Sequence, residues 1–393
     1  MQAMSKKLKV YCRISSNADC GVGYYRQWLP LVEAERQGLV ELRVQHFTWG
    51  EQQGEGKEIP VSETDFLDNC RWADVVYFSR NDTPVWLAYA LMQKDLLGKP
   101  CLVDYDDLVH ATRPVNPGYR SFHPNSEYNK FNIEAFKYYD GLTVSTDYLE
   151  QYYRKYTKKI YILPNSMDMK DRDYWATYDY SDSPTYKKEP NEIRLGWSGS
   201  ASHWENLSYI APVIIDIMKN HDNVTFYMTG LFGDDLWVDA PDNVKARIHK
   251  VPFVPLKEYG KMLNSMHLDI GLAPLTDCEF NRAKSNLRLL EYGATKIATV
   301  ASDVHPYRTL KNEVQLCTEL SEWYMAIEKL IVDKSLREQY ATKLYNKVKK
   351  DYTVEKNCLL WVKALTDLVT HYGKQSSRNT GGRAKGKSAR KRA

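Results

Sequence analysis

The sequence predicts an α/β protein whose parallel sheets are covered by helices on both faces, with enough chain for two domains. Short apolar runs recur at 8–12, 74–79, 100–104, 142–145, 160–163, 193–197, 224–230, 247–251 and 270–275, separated by helical or loop lengths. That alternation is how buried parallel strands and their crossover helices look in sequence. The 393 residues, 43% hydrophobic and 26% charged, have ordinary globular composition and more length than one core usually organises. Residues 170–191, rich in Tyr, Asp, Ser and Pro, read as a linker between a first domain over 1–169 and a second over 192–345.

The run at 8–12 is the first strand. It leads into GVGYYRQWLPLVEAERQG, read as a glycine-containing loop followed by a helix. Gly21 and Gly23 let backbone N–H groups come close to a ligand there, and Arg26 falls in the first helical turn. The pair lacks the third glycine of a dinucleotide fingerprint, so alone it is unspecific. The strand at 100–104 ends in Asp104, Asp106 and Asp107, at the edge where open α/β sheets place ligands. A D-x-D there is one way to hold Mg²⁺ or Mn²⁺ on a nucleotide. The rival readings are that Asp107 and His110 orient an acceptor hydroxyl, or that they solvate a loop. Residues 148–159, preceded by the N-cap signal of Asp147, read as a helix interleaving tyrosines with Arg154, Lys155, Lys158 and Lys159. Basic and aromatic side chains together suit a nucleic-acid strand, although half-buried core tyrosines are the plainer explanation.

The second domain opens with the strand at 193–197 and the loop SGSASHWENL. Ser198, Gly199 and Ser200 offer backbone and hydroxyl donors to a phosphate, and His203 shares the loop. The most informative stretch is DIGLAPLTDCEFNRAKSNLRLLEYGATKIATVAS, 269–302: a strand, a polar turn, a helix beginning near 285 and a further strand. On that helix Lys284, Arg288 and Glu291 fall at i, i+4 and i+7, which puts two cations and a carboxylate on one face. A helix N-terminus favours anions through its free N–H groups and dipole, so a diphosphate fits there. Glu291, one turn deeper, accepts hydrogen bonds from a sugar or ribose hydroxyl pair. The bland rival is a surface Arg288–Glu291 pair worth roughly a few tenths of a kcal/mol. Residues 321–372 are helical in composition.

Charge and cysteine usage bound the partners. Seven scattered cysteines without a C-x-x-C pair point to a reducing compartment, with neither a disulfide framework nor a zinc site. The N-terminus is basic but has no apolar core, which argues against a cleaved secretion signal, and no stretch approaches the roughly 20 apolar residues of a membrane span. The cytoplasm is the expected location. Residues 374–393 carry Lys374, Arg378, Arg383, Lys385, Lys387, Arg390, Lys391 and Arg392 and no acid, which leaves the remainder acidic although the whole chain is +4. Such a segment buries too little to fold and is expected to be a disordered polycation that tethers the protein to nucleic acid or anionic membrane.

FNRAKSNLRLLEY followed by VASDVHPY resembles the donor-binding segment of retaining, nucleotide-sugar-dependent glycosyltransferases with the GT-B fold, those of group 1 or family 4. PNSMD at 164–168 is similar to the Pro-Asn-Gly-x-Asp that closes their first domain, and residues 199–203 show their Gly-Ser-x-x-His. The resemblance implies two Rossmann-like domains facing across a cleft, with a last helix, 346–373, crossing back to the first. It implies that Lys284, Ser285 and Arg288 hold the donor diphosphate and Glu291 the ribose, with Gly21, Gly23, Ser198, Gly199, Ser200 and His203 around the donor. Lys284 and Arg288 would be the catalytic cations, Asp107 and His110 the acceptor-side candidates, and no metal cofactor would be needed. The implied reaction moves a sugar from a nucleoside diphosphate sugar to a hydroxyl with retention.

The sequence departs from the family pattern twice. Ala283 stands where a second Glu is usual, and Lys296 and Ala298 replace the Gly and Pro of the following turn. A lysine in a left-handed turn costs about 1 kcal/mol, or the turn must differ. For the acceptor, the basic tail favours DNA carrying a hydroxylated base, as in viral DNA-glucosylating enzymes, which would place the protein in a host cytoplasm. The alternatives are a peripheral-membrane enzyme of lipid-linked or surface glycan synthesis and a non-catalytic nucleotide-sugar-binding protein.

Overall fold

A computed structural model of the chain describes residues 7–14, 21–46, 48–49, 56–57, 63–80, 84–157, 159–170, 187–230, 234–254 and 256–388. Its first half contains β1 (Leu8–Ile14), β2 (Val40–His46), the short pair β3 (Thr48–Trp49) and β4 (Gly56–Lys57), β5 (Val75–Phe78), β6 (Cys101–Tyr105), β7 (Gly141–Val144) and β8 (Ile160–Ile162). The second half contains β9 (Ile193–Gly199), β10 (Val224–Gly230), β11 (Ile248–Val251), β12 (Ile270–Ala273), β13 (Ala298–Ser302) and β14 (Gln315–Cys317).

These strands make two six-stranded sheets, ordered β2-β1-β5-β6-β7-β8 and β11-β10-β9-β12-β13-β14, plus the β3-β4 hairpin. Every pairing within the two large sheets is parallel. The central strands β5, β6 and β12 are buried along their whole length, as strands covered on both faces must be, which is why they read as continuous apolar runs. In each sheet the strand order reverses beside the first strand, between β1 and β5 and between β9 and β12. Ligands of open α/β sheets bind outside the carboxyl ends of the strands at such reversals.

The domains are tied together at the C-terminus. The long helix Val354–Ser388 leaves the second domain and packs Cys358, Trp361, Leu365 and Leu368 into the first-domain core with Val10, Tyr77 and Leu102. Trp361 Nε1 donates to the Arg26 carbonyl at 3.0 Å. Just before the helix starts, Met167 N–H donates to the Tyr352 carbonyl (2.8 Å) and the Met167 carbonyl accepts from Val354 N–H (2.9 Å), so PNSMD is stitched to the crossover. The crossing helix therefore begins at Val354, later than the expected 346, because the preceding helix Lys334–Asp351 packs Leu344 and Val348 in the second domain.

It also continues to Ser388, where an unfolded tail was expected from 374. Extending an existing helix avoids the nucleation cost that would otherwise oppose helix in a segment with three glycines. Residues 389–393 and most of the expected linker, 171–186, lie outside the described residues. Among the described residues no helix is long and apolar enough to cross a membrane.

The turn after helix Leu287–Ala294 closes with Lys296 N–H on the Gly293 carbonyl (3.1 Å) and Ile297 N–H on the Tyr292 carbonyl (2.9 Å). That is a Schellman turn, and its left-handed position is Lys296, with φ of 56°. The lysine thus pays the steric cost that glycine avoids. Lys296→Gly is expected to stabilise the protein by about 1 kcal/mol, read as a higher urea midpoint at unchanged m-value.

Candidate active site

The site forms where the carboxyl ends of β9 and β12 meet the first domain. After β12 the chain makes a short helix, Glu279–Arg282, then a turn, and only then helix Leu287–Ala294. Lys284 therefore precedes the helix instead of lying on its face, and only Arg288 and Glu291 project from its first turns. The loop is held from below by a buried amide network that sequence spacing did not reveal. Asn206 Oδ1 accepts from Thr276 N–H (2.9 Å), Thr276 Oγ1 (3.2 Å) and Asn281 Nδ2 (3.1 Å). Ser302 Oγ accepts from Leu275 N–H at 2.8 Å.

Arg288 lies over the Trp197 ring, 5.3 Å from its centroid. Its Nη1 is buried with no hydrogen-bond partner among the described residues. Gly199 makes this possible: a β-carbon there would stand 3.2 Å from Arg288 Nη2 and 2.5 Å from the Trp197 ring. One helical turn on, Glu291 Oε1 accepts from Tyr25 of the first domain (3.3 Å), and Oε2 from Tyr259 (3.4 Å), whose hydroxyl also bonds Ser198 Oγ at 2.7 Å. Burial pushes the Glu291 carboxyl up to about 7, against the opposing pull of Arg288 and the two tyrosines. Burial, with the charges of Arg288 and Lys284, holds His203 well below the usual histidine range. His203 is thus a neutral ring beside the cations, with Nδ1 3.2 Å from Asn206 Nδ2.

From the first domain, Asp107 Oδ1 reaches Lys284 Nζ at 3.4 Å, so the expected catalytic cation and acceptor-side carboxylate do meet. Ser285 Oγ accepts from Asn165 Nδ2 at 3.0 Å. Other expected residues are placed differently. Arg26 is fully buried and pairs with Asp104 (2.9 and 3.1 Å), whose Oδ1 also accepts from Tyr77 (3.2 Å) and Thr143 (2.5 Å). That network is core architecture, and it occupies one carboxylate of the D-x-D pair. His110 is buried among Tyr105, Phe136, Tyr152 and Tyr153, with Nδ1 2.9 Å from the Tyr153 hydroxyl, and burial lowers it to about 4. It is a core histidine, with no exposed nitrogen to offer an acceptor.

Gly21 and Gly23 belong to the first helical turn itself, with Gly23 in right-handed geometry. The loop proper, 15–20, lies outside the described residues. Space beside Gly21 is open, whereas Ser200 is exposed and bonds Ser202 Oγ. The basic aromatic helix shrinks to Asp147–Tyr153, and Tyr153 is in the core with Tyr148 and Tyr152 packed against it, so these rings are not a stacking platform.

The alanine at 283, where a glutamate was expected, has a structural counterpart. Ala283 is fully buried against the first-domain core, and its carbonyl accepts from Thr146 Oγ1 at 3.0 Å. A glutamate there would desolvate its charge in an apolar cluster. Around this contact, Arg113–Glu205 (2.7 Å) and His305–Asp147 (2.9 Å) also bridge the domains, so the cleft is closed along one side.

No protein-family model matches the sequence, and no curated protein does. Solved structures do match the fold. A UDP-forming α,α-trehalose-phosphate synthase from Burkholderia xenovorans superposes with a TM-score of 0.62 at 11% identity, over 92% of this chain and 99% of that one. A glycosyltransferase from Rickettsia africae superposes with a TM-score of 0.58 at 10% identity, over 94% and 100%. TarM superposes with a TM-score of 0.57 at 12% identity, over 81% of this chain but 63% of its own. With two parallel Rossmann-like sheets facing each other and a last helix crossing back, the chain has the GT-B fold.

Proposed function

We propose that the protein transfers a sugar from a nucleoside diphosphate sugar to an acceptor hydroxyl. The observation that carries this reading is the buried Nη1 of Arg288, which has no partner among the described residues and is held over Trp197 at the strand reversal of the second domain. A half-buried guanidinium with a free donor calls for an anion, and Lys284 adds a second charge beside it. Departure of the diphosphate leaves an oxocarbenium-like sugar, and both cations stabilise the charge growing on the leaving group. Side chains thus supply the countercharge that a metal supplies elsewhere. Retention at the anomeric carbon is what the resemblance of residues 269–307 to retaining enzymes implies. Glu291, between Tyr25 and Tyr259, takes the ribose diol. UDP, the nucleotide the Burkholderia xenovorans synthase is named for forming, is the first to try.

The acceptor reading rests on the eight basic residues of 374–393, which favour a polyanion, DNA bearing a hydroxylated base, over anionic lipid. Salt-sensitive retention on duplex DNA, lost when 374–393 are deleted, supports that choice; vesicle binding without DNA binding reverses it.

The test of the donor site is calorimetry with a UDP-sugar between pH 8 and 6. The diol is best accepted by ionised Glu291, which titrates at about 7. Affinity is therefore expected to fall about tenfold as pH drops from 8 to 6, and Glu291→Gln should flatten the profile. The sugar diphosphate itself keeps its charge over this range. Folded protein that takes up no nucleoside diphosphate sugar, and yields no glycosylated product by mass spectrometry, ends the reading.

A further inference from the structure

Building on that donor reading, we propose that Asp107 is an internal stand-in for the donor diphosphate: it holds Lys284 in the ligand-free protein and is released when the donor binds, so that donor precedes acceptor. Three observations support this. Lys284 is contributed by the second domain and Asp107 by the first, and their side chains meet at 3.4 Å with Lys284 only 14% exposed. The anion nearest the expected phosphate cation is therefore a residue of the acceptor domain. Second, the backbone under Lys284 is clamped independently, through the Ala283 carbonyl on Thr146 and the burial of Ala283. Exchange of Asp107 for a phosphate thus needs only side-chain rotation. Third, negative charge is already crowded here. Asp106, 3.8 Å from Arg80, is pushed up to about 6 by burial and by Asp107.

A diphosphate arriving at Lys284 adds like charge next to Asp107, and the two cannot share one ammonium without repulsion. Asp107, with its side chain 32% exposed, is free to turn outward and accept a hydrogen bond from the acceptor hydroxyl. Loss of the pair does not open the cleft, because Arg113–Glu205 and His305–Asp147 bridge the domains separately.

The sign of the effect separates this from a structural role. Removing a competitor strengthens donor binding, whereas removing a mere structural contact leaves it unchanged or weakens it. Calorimetric titration of UDP into wild type, Asp107→Asn and Asp107→Ala is expected to show dissociation constants about two- to fivefold lower in both variants, the range of a part-exposed ion pair. Steady-state kinetics should show a lower donor KM together with a lower kcat. Asp107→Asn keeps the side-chain volume, so it serves if the alanine variant does not fold. A folded Asp107→Asn protein that binds UDP no better than wild type overturns the proposal while leaving the donor site standing. If wild type and variants all fail to bind UDP or any other nucleoside diphosphate, the donor reading falls and this proposal with it.

Discussion

Arg288→Ala is expected to lower turnover about a hundredfold or more in a protein that remains folded. The guanidinium sits on the Trp197 face with one buried nitrogen that has no partner among the described residues, so its charge acts in poorly solvated surroundings where a preorganised donor counts most. Removing one donor to a developing oxyanion typically costs about a hundred- to a thousandfold in rate. Lysine is not an adequate replacement, because it lacks the planar fork that spans two phosphate oxygens and stacks on an indole. Lys284→Ala should cost less, at least about tenfold, since Lys284 starts from an ion pair with Asp107. The measurement is kcat on a sugar nucleotide, with circular dichroism as the check on folding. Unchanged kcat in folded Arg288→Ala would remove the cation from the mechanism.

Asp104→Ala should destabilise the protein by about 3–5 kcal/mol, because it strands the buried Arg26 charge. Urea unfolding followed by far-UV signal measures it. Replacing both partners with apolar residues, as in Arg26→Met with Asp104→Leu, should recover only part of the loss, since it removes the stranded charge but takes a partner from Tyr77, Thr143 and Asn165. The single change should also disturb the site. Arg26 Nη1 donates to Asn165 Oδ1 at 3.0 Å, and Asn165 Nδ2 donates to Ser285 beside Lys284. The core ion pair is thereby joined to the loop at Ser285 by one amide.

Elements buried on both faces were legible because nothing in them competes with the apolar signal; β5, β6, β9 and β12 lie close to where their runs fall. The edge strand β2, VELRVQH, escaped notice because one face meets solvent and its apolar residues alternate with charged ones. The helix that carries Arg288 starts slightly later than its spacing suggests, for a different reason. Lys284 fits the i, i+4 spacing, but the short helix Glu279–Arg282 and the turn after it break the register. Tyr25 and Tyr259 had no signal at all, since a hydroxyl that closes on Glu291 from a distant segment leaves no periodicity.

The sequence by itself determined the class of fold and the segment that carries the cations, because burial period and charge pattern act within a few residues; at Lys296 it left two turns open, and the structure shows the left-handed one. Only the tertiary structure decided which charges are available to a ligand. Asp104 and Asp107 are neighbours on one strand end, yet the first is locked to Arg26, 78 residues away, and the second faces Lys284, 177 residues away. A carboxylate's role depends on the water it loses and the cation it meets, and both are set by segments distant in sequence: one within the first domain for Asp104, one across the domain boundary for Asp107.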